Sequence, residues 1–220
     1  MIHNACCCGG GAVRRTTLAE LEEGSIIRLA EGDSLARFIV AKHDYESGLN
    51  GTGRTLVVRK DCHSERLWNE FNGSTVYNNY GKSAIDIWLN GDYKALLDAD
   101  IQPAIGTTKF RYTPGNGNTN VGTLERAIFL LSITELGKTA NYANTEGSAL
   151  DIASSLQIAY LNGSAINQWT RSPDKTNTEY SVILLKNGNV FNNVCNGIGG
   201  IRPAFTLPST IDLTELGVII

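Results

Sequence analysis

The sequence has little excess basic charge and no long apolar run. Its 220 residues carry 19 Lys and Arg against 22 Asp and Glu, which gives a formal net charge of −3. Binding to a phosphate backbone needs a basic stripe, so this balance argues against nucleic acid as a partner. No apolar stretch approaches the roughly 20 residues that span a bilayer, and no basic segment followed by an apolar one marks an N-terminal signal. Membrane insertion is therefore not expected.

Catalytic and metal-binding motifs are also missing. The histidines, His3, His43 and His63, lie outside any Ser-His-Asp or H-E-x-x-H setting. The cysteines number five, and the three adjacent ones at 6–8 have the spacing of neither a disulfide framework nor a zinc site. Cys62 and His63 are neighbours but have no second ligand pair at a suitable distance. We therefore predict no metal, no cofactor and no catalytic residue.

Strand patterns dominate the chain and are interrupted by one helical region. β-branched runs bounded by Gly, Asp and Asn predict strands at 26–29, 37–41 and 54–61. Apolar residues at helical spacing predict helices at about 82–90 and 92–102, the second capped by Asp92. This order favours an α+β fold with a mainly antiparallel sheet and two helices on one side.

The domain organisation predicted from these patterns is simple. Residues 16–220 are long enough for one hydrophobic core and are predicted to form a single domain. Residues 1–15, with their Cys and Gly clusters, have little core-forming character and are predicted to be a leader or attachment segment. The apolar run at 127–131 is too continuous to be half-exposed, and periodicity leaves both buried strand and buried helix open.

Asparagine is unusually frequent in a predicted hairpin near the C-terminus, although strands normally avoid it. Asn187 and Gly188 predict a two-residue turn, which would pair Val182 with Asn193 and Tyr180 with Cys195. Alternation divides the side chains between two faces. The face judged better for the core comprises Ser181, Ile183, Leu185, Val190, Asn192 and Val194, and the opposite face comprises Tyr180, Val182, Leu184, Phe191, Asn193 and Cys195. That opposite face is either a second buried layer or an exposed contact surface.

Two short motifs carry a family resemblance. "WTRSP" begins at Trp169, and "GIRPAF" begins at Gly200, about thirty residues later. With "RKDCHSERLWN", "SAIDIWLNGDY", "FLLSITELG" and "IAYLNGSA" upstream, they make residues 24–209 resemble a prophage-associated family marked by W-x-R-S-P and G-[IV]-R-P-A. Members of that family are similar to the formylglycine-generating-enzyme version of the C-type lectin fold. Some are the variable proteins of diversity-generating retroelements, in which adenines between the two motifs are rewritten. In this interpretation the motif residues Arg171 and Arg202 belong to the constant scaffold, and at least one of them is expected to be buried with its guanidinium bonded to main-chain carbonyls or a carboxylate.

The resemblance implies a binding function for the region between the motifs, residues 174–199. An adenine-rich template would leave asparagine codons there, which would account for the asparagines. The residues expected to contact a ligand are Asn177, Tyr180, Val182, Asn189, Phe191, Asn192, Asn193, Cys195 and Asn196. The implied partner is a protein or glycan on a host-cell surface, and the implied location is a phage particle or tail. Other virion proteins would hold the N-terminal segment, and homo-oligomer formation stays open.

Two other functions remain as alternatives. The protein could be a structural decoration of the virion without a receptor. It could also be an enzyme of the formylglycine-generating type, whose chemistry uses paired active-site cysteines. Only Cys62 and Cys195 lie within the predicted domain, and Cys195 falls in the predicted variable stretch, which disfavours a catalytic pair.

Overall fold

The computed structural model describes residues 15–70 and 77–214. The predicted attachment segment at 1–15, including its three cysteines, lies outside these residues except for Arg15. The described strands are β1 Ile26–Glu31, β2 Ser34–His43, β3 Arg54–Arg59, β4 Ser64–Leu67, β5 Thr108–Tyr112, β6 Gly122–Arg126, β7 Ile128–Phe129, β8 Ala159–Leu161, β9 Ser164–Ile166, β10 Gln168–Pro173, β11 Tyr180–Leu184, β12 Val190–Val194, β13 Ile198–Ile201 and β14 Ala204–Pro208.

Helices are short in the described part of the chain. The α-helices are α1 Ser47–Asn50, α2 Ala84–Trp88, α3 Lys94–Leu96 and α4 Ala153–Leu156, and a π-helical segment, Leu89–Tyr93, joins α2 to α3. Single 3-10 turns occur at Leu18–Glu20, Tyr80–Lys82 and Gln102–Ala104.

Two five-stranded sheets form the body of the molecule. The first has the order β1-β2-β3-β14-β7, and the second has the order β12-β11-β10-β13-β4. Pairing is antiparallel throughout except between β10 and β13, where Gln168 lies opposite Gly200 in a parallel arrangement. The strand pairs β5-β6 and β8-β9 form small separate hairpins. The architecture is α+β and mostly antiparallel, as the sequence predicted.

The buried apolar side chains of both sheets belong to one cluster. Phe38 and Phe205 of the first sheet meet edge to face, with ring centroids 5.4 Å apart, and Trp169 and Ile183 of the second sheet belong to the same cluster. The two ends of the described chain lie side by side, because Thr17 pairs with Asp212 and β14 pairs with β3.

The prediction of two separate helices was wrong in detail. Ser83 caps α2, its hydroxyl accepting a hydrogen bond from the Asp86 amide at 3.1 Å. The chain then stays helical through the predicted break at Asn90 and Gly91, so Asp92 is not an N-cap. Helix α3 ends at Leu96, well before residue 102, because Leu97 is extended and bridges to Glu31 at the end of β1.

The asparagine at the predicted break stabilises the continuous helical path. The Asn90 carboxamide accepts hydrogen bonds from the amides of Ala127 and Ile128, both at 3.1 Å, and donates to the Ile128 carbonyl at 2.9 Å. These bonds fix the π turn against the strand that follows residue 127. Within the apolar run at 127–131, the structure forms a strand only at Ile128–Phe129, paired with β14.

Candidate binding surface

The two arginines of the sequence motifs are buried inside the scaffold. Arg171 on β10 is 0% exposed and Arg202 is 4% exposed. The Arg171 guanidinium donates to both carboxylate oxygens of Glu135, at 2.6 and 2.9 Å, and to the carbonyls of Leu130 and Arg111. Arg202 donates to main-chain carbonyls. The expectation that these arginines belong to the frame is confirmed for both.

A polar network spreads from Arg171 through the interior. The Tyr45 hydroxyl donates to Glu135, and Glu146 accepts from the Thr113 amide at 2.5 Å and the Ser172 hydroxyl at 2.6 Å. Burial raises the pKa of the Glu146 carboxyl, while the nearby Arg171 charge and the hydrogen bonds from Ser172 and Thr113 oppose that rise. Because Arg171 and Ser172 both lie on β10, the network ties this strand to Glu135 and Glu146.

Gly199 and Gly200, in the second motif region, allow the centre of the second sheet to pack closely. A Cβ at Gly199 would lie 2.9 Å from side-chain atoms of Ile183 and Trp169, and a Cβ at Gly200 would lie 2.6 Å from the Cys62 sulfur. Any larger residue would force these neighbours apart. The pair therefore fixes how β13 sits against β10 and β11.

The β11–β12 hairpin has a different register from the predicted one. Gly188 donates to the Leu185 carbonyl and Leu185 donates to the Asn189 carbonyl, both at 2.8 Å, so the loop contains three residues, Lys186, Asn187 and Gly188. Gly188 has φ of 80°, the left-handed conformation that such three-residue loops require. The longer loop shifts every pair by one: Tyr180 lies opposite Val194 rather than Cys195, and Val182 lies opposite Asn192 rather than Asn193.

The shift also changes which residues share a face. Phe191 now neighbours Ile183 across the strands, and Asn192 neighbours Val182. Residues 181–184 are all buried, so β11 is covered on both sides, whereas β12 forms the edge of the sheet and contains no fully buried residue. Of the two alternatives left open for the opposite face of the hairpin, β11 therefore fits the second buried layer and not the exposed contact surface. Exposure in the hairpin depends on the strand more than on the face.

The predicted contact residues divide into three groups by exposure. Phe191 is 53% exposed, and Asn177, Asn189 and Asn196 are exposed as well. A second group is half-buried and consists of Tyr180, Asn192 and Asn193. Val182 and Cys195 are both 0% exposed, so the expectation that they lie on the surface was wrong. They pack inside because β11 is sandwiched and because Cys195 joins the main core cluster.

Several of the asparagines have a local structural role. The Asn177 side chain accepts from the Glu179 amide and the Asn187 side chain accepts from the Asn189 amide, each at 3.0 Å. This is the turn-forming bond that asparagine makes two residues along the chain. Asn192 donates at 2.6 Å to Asp174, which is 2% exposed. Turn chemistry thus accounts for part of the asparagine content, and Asn192 holds the loop before β11.

The loop at 174–180 is also held by a residue that the sequence did not single out. Asn78 is 0% exposed, and its carboxamide nitrogen donates to the carbonyls of Asp174 and Tyr180, both at 2.7 Å, and to that of Asn177 at 3.1 Å. Its carboxamide oxygen accepts from the Asn116 amide at 2.7 Å. Asn78 is about one hundred positions from this loop in the sequence, so no local pattern could have identified it.

Exposed apolar side chains also lie at the opposite edge of the second sheet. Ile198 on β13 is 62% exposed and pairs with Leu67 on the edge strand β4, which is 37% exposed. A shallow cleft of about 290 Å³ beside them is lined by Ile85 and Arg66. The signal for Ile198 was present in the sequence as an apolar residue flanked by glycines.

The two described thiols are buried and unpaired with each other. Burial raises the pKa of Cys62 to about 12 and that of Cys195 to about 12, so both stay protonated at neutral pH. A protonated, buried thiol is a poor nucleophile. Across residues 15–70 and 77–214, no cluster of three or more His, Cys, Asp or Glu side chains has a geometry that could hold a metal. None of the described helices has the length and apolar character needed to cross a membrane.

Residues 52–209 match DUF6273, a domain of unknown function, and because the match spans most of the chain, the protein belongs to this family. The matched stretch contains β3 to β14 and therefore both arginine motifs and the hairpin, while β1 and β2 precede it. No curated protein and no solved structure matches the chain.

Proposed function

We propose that this protein is a non-enzymatic binding module, displayed on a phage particle or tail, that recognises a protein or glycan of the host-cell surface. The contacts would be made by what we term the hairpin surface, which comprises Asn177, Tyr180, Asn189, Phe191, Asn193 and Asn196. Val182 and Cys195 are left out of this surface because they are buried, and Asn192 supports it through Asp174.

One observation carries the proposal: Phe191 on the edge strand β12 is 53% exposed, although its cross-strand neighbour Ile183 is 1% exposed. A large aromatic left in water among asparagines is unfavourable for a purely structural hairpin. The same combination is useful for recognition, since an aromatic ring contributes contact area at low entropy cost and amides supply adaptable hydrogen bonds.

The finer fold and the diversification belong to the same proposal. The W-x-R-S-P and G-I-R-P-A resemblance supports a C-type-lectin-like fold in which residues 174–199 vary. The burial of Arg171 and Arg202 supports a frame that stays constant around this region. Residues 1–15 would attach the module to other virion proteins.

Adsorption of the purified, fluorescently labelled chain to bacteria of the species that carries the gene tests the proposal. The variant Asn189→Ala/Phe191→Ala/Asn196→Ala should lose cell binding and keep the far-UV circular dichroism and melting temperature of the parent, because exposed residues contribute little to stability. Asn193 is left unchanged because its side chain accepts from the Val194 amide at 3.0 Å.

A matched control is available on the other sheet. Leu35 on β2 is also 53% exposed, so Leu35→Ala removes a similar amount of exposed apolar surface far from the hairpin in sequence. This variant should adsorb like the parent. A folded triple variant that still adsorbs, or equal losses in the triple variant and Leu35→Ala, would contradict recognition by the hairpin surface.

A further inference from the structure

Arg202 differs from Arg171 in having no acidic partner. Its guanidinium donates to the carbonyls of Arg59 and Leu156, both at 2.8 Å, and of Lys60 at 2.6 Å. Within residues 15–70 and 77–214, no carboxylate forms an ion pair with it. Burial lowers the pKa of the Arg202 guanidinium to about 10, because the charge has lost water without gaining a carboxylate. The groups bonded directly to this buried cation are therefore main-chain carbonyls, and the Asp61 charge acts on it only without direct contact.

The guanidinium still has hydrogen-bonding capacity. It carries five N–H groups, and its three bonds to carbonyls leave two hydrogens, one on each terminal nitrogen, without a partner in the described chain. Arg202 lines a cleft of about 350 Å³ at the side of the β8–β9 hairpin. The same cleft contains Lys60, whose ammonium group also makes no ion pair or hydrogen bond within the described part of the chain.

The charges around this cleft do not balance. Lys60, Asp61 and Tyr160 line both this cleft and a neighbouring one of about 570 Å³. Asp61 is already paired with Arg37 at 2.7 Å, and Glu31 is paired with Arg59 at 2.8 Å. Lys60 and Arg202 are therefore two positive charges in excess, in a concave site where such charges attract anions.

Apolar groups complete the cleft. Tyr160 is 43% exposed and Ile158 is 38% exposed, and both line it beside the two unpaired cations. An exposed ring beside a cationic pair suits a ligand that has a flat or ring-shaped body and one negative group. The tip of the β11–β12 hairpin lies next to it, since a Cβ at Gly188 would be 3.8 Å from Ile158.

We propose that Lys60 and Arg202 form a binding site for an oxyanion, a carboxylate or phosphate group carried on a small ring such as a sugar, which packs on Tyr160 and Ile158. Lys60 supplies a mobile charge at the mouth of the site, and Arg202 supplies a fixed one at its base. The site does not depend on the hairpin surface contacting a receptor.

Titration calorimetry on the full chain tests this site with two pairs of probes. Glucuronate is compared with glucose, and glucose 6-phosphate is compared with glucose, at low salt. We expect saturable binding of at least one anionic probe and none of its neutral counterpart. A preference for glucuronate assigns the site to carboxylates, and a preference for glucose 6-phosphate assigns it to phosphates.

Variants distinguish the site from general attraction. Lys60→Gln should weaken anion binding about tenfold, the loss expected for one charge-assisted hydrogen bond. Lys94→Gln is the control, because Lys94 is similarly half-buried and lines neither cleft. Lys60 is chosen over Arg202 because loss of the Arg202 bonds could unfold the chain.

Three results would overturn the proposal: no binding of either anion, equal binding of charged and neutral probes, or unchanged affinity in Lys60→Gln. The hairpin variant with Phe191→Ala should bind the anion like the parent. Failure of cell adsorption with intact anion binding would therefore count against the hairpin surface and not against this site.

Discussion

At the scale of single residues, two buried glutamates near Arg171 have opposite energetic roles. Glu135 is 0% exposed and forms a bidentate pair with Arg171, so each charge compensates the other. Glu146 is also 0% exposed, but its bonds come from the neutral donors of Thr113 and Ser172. Removing the Glu135 charge leaves the Arg171 cation buried without its paired carboxylate. Removing the Glu146 charge eliminates a buried anion that is bonded only to neutral donors.

Glu135→Gln should lower the free energy of unfolding by about 3 to 5 kcal/mol, the usual effect of leaving a buried charge unpaired. Urea denaturation followed by tryptophan fluorescence measures this change. The control is Glu125→Gln at the Lys109–Glu125 surface pair, where both side chains are exposed by more than a third. A surface pair contributes under about 1 kcal/mol, so equal effects at the two sites would show that the buried pair has no special role.

Glu146→Gln, unlike Glu135→Gln, should change how the free energy of unfolding depends on pH. Burial raises the pKa of Glu146 in the folded chain above its ordinary value of 4.5, so the folded state binds the proton more tightly than the unfolded state. The stability contributed by this group therefore falls as pH rises from 4.5 through the folded pKa. The free energy of unfolding of Glu146→Gln minus that of the parent should therefore be larger at about pH 7 than at about pH 5.

Denaturation of both proteins in urea at the two pH values checks this expectation. The glutamine oxygen can still accept from the Thr113 amide, so folding should be preserved. A stability difference between parent and variant that stays constant with pH would show that Glu146 does not titrate differently on folding.

At the scale of elements, the π turn between α2 and α3 acts through one side chain. Asn90 accepts from two main-chain amides and donates to the carbonyls of Ile128 and Asp86. Asn90→Asp keeps the size and the accepting oxygen but replaces the donor with a second oxygen facing these carbonyls. We expect a loss of about 2 to 3 kcal/mol in unfolding free energy, since buried acceptors are left unsatisfied.

Hydrogen exchange distinguishes a local effect of Asn90→Asp from a global one. The amides of Ala127 and Ile128 should exchange faster than the global loss of stability explains. Asn120→Asp is the control, since the Asn120 side chain is exposed and makes no hydrogen bond in the described structure. An exchange rate at Ile128 that matches the parent would contradict the anchoring role of Asn90.

The elements also show what local sequence can and cannot predict. The strands at 26–29 and 37–41 were found because β-branched residues and Gly turns are local signals. The hairpin register was missed because an Asn-Gly pair fits either a two-residue turn or a three-residue loop ending in glycine, and the choice shifts every cross-strand pair. The helix break predicted at Asn90 and Gly91 does not occur, because the Asn90 side chain bonds to a strand almost forty residues away and holds the chain in a helical path.

At the scale of the whole molecule, the frame was more predictable than the surface. The two motifs, WTRSP and GIRPAF, predicted that their arginines belong to a buried scaffold, and Arg171 and Arg202 are both buried. Val182 and Cys195 were misplaced because a half-exposed hairpin was assumed, whereas β11 lies in the interior of a five-stranded sheet. Partners such as Glu135 and Lys60 depend on packing between distant segments, which leaves no periodic trace in the sequence.

The attachment of the 174–180 loop by Asn78 bears on how freely that loop could be rewritten. All three of its bonds there go to carbonyl oxygens, which every amino acid possesses. Asn78 therefore binds the main chain of the loop and not its side chains. Substitutions at residues 175, 176, 178 and 179 would leave these three hydrogen bonds in place. A loop attached through its main chain in this way would tolerate new side chains without losing its attachment to the body of the protein.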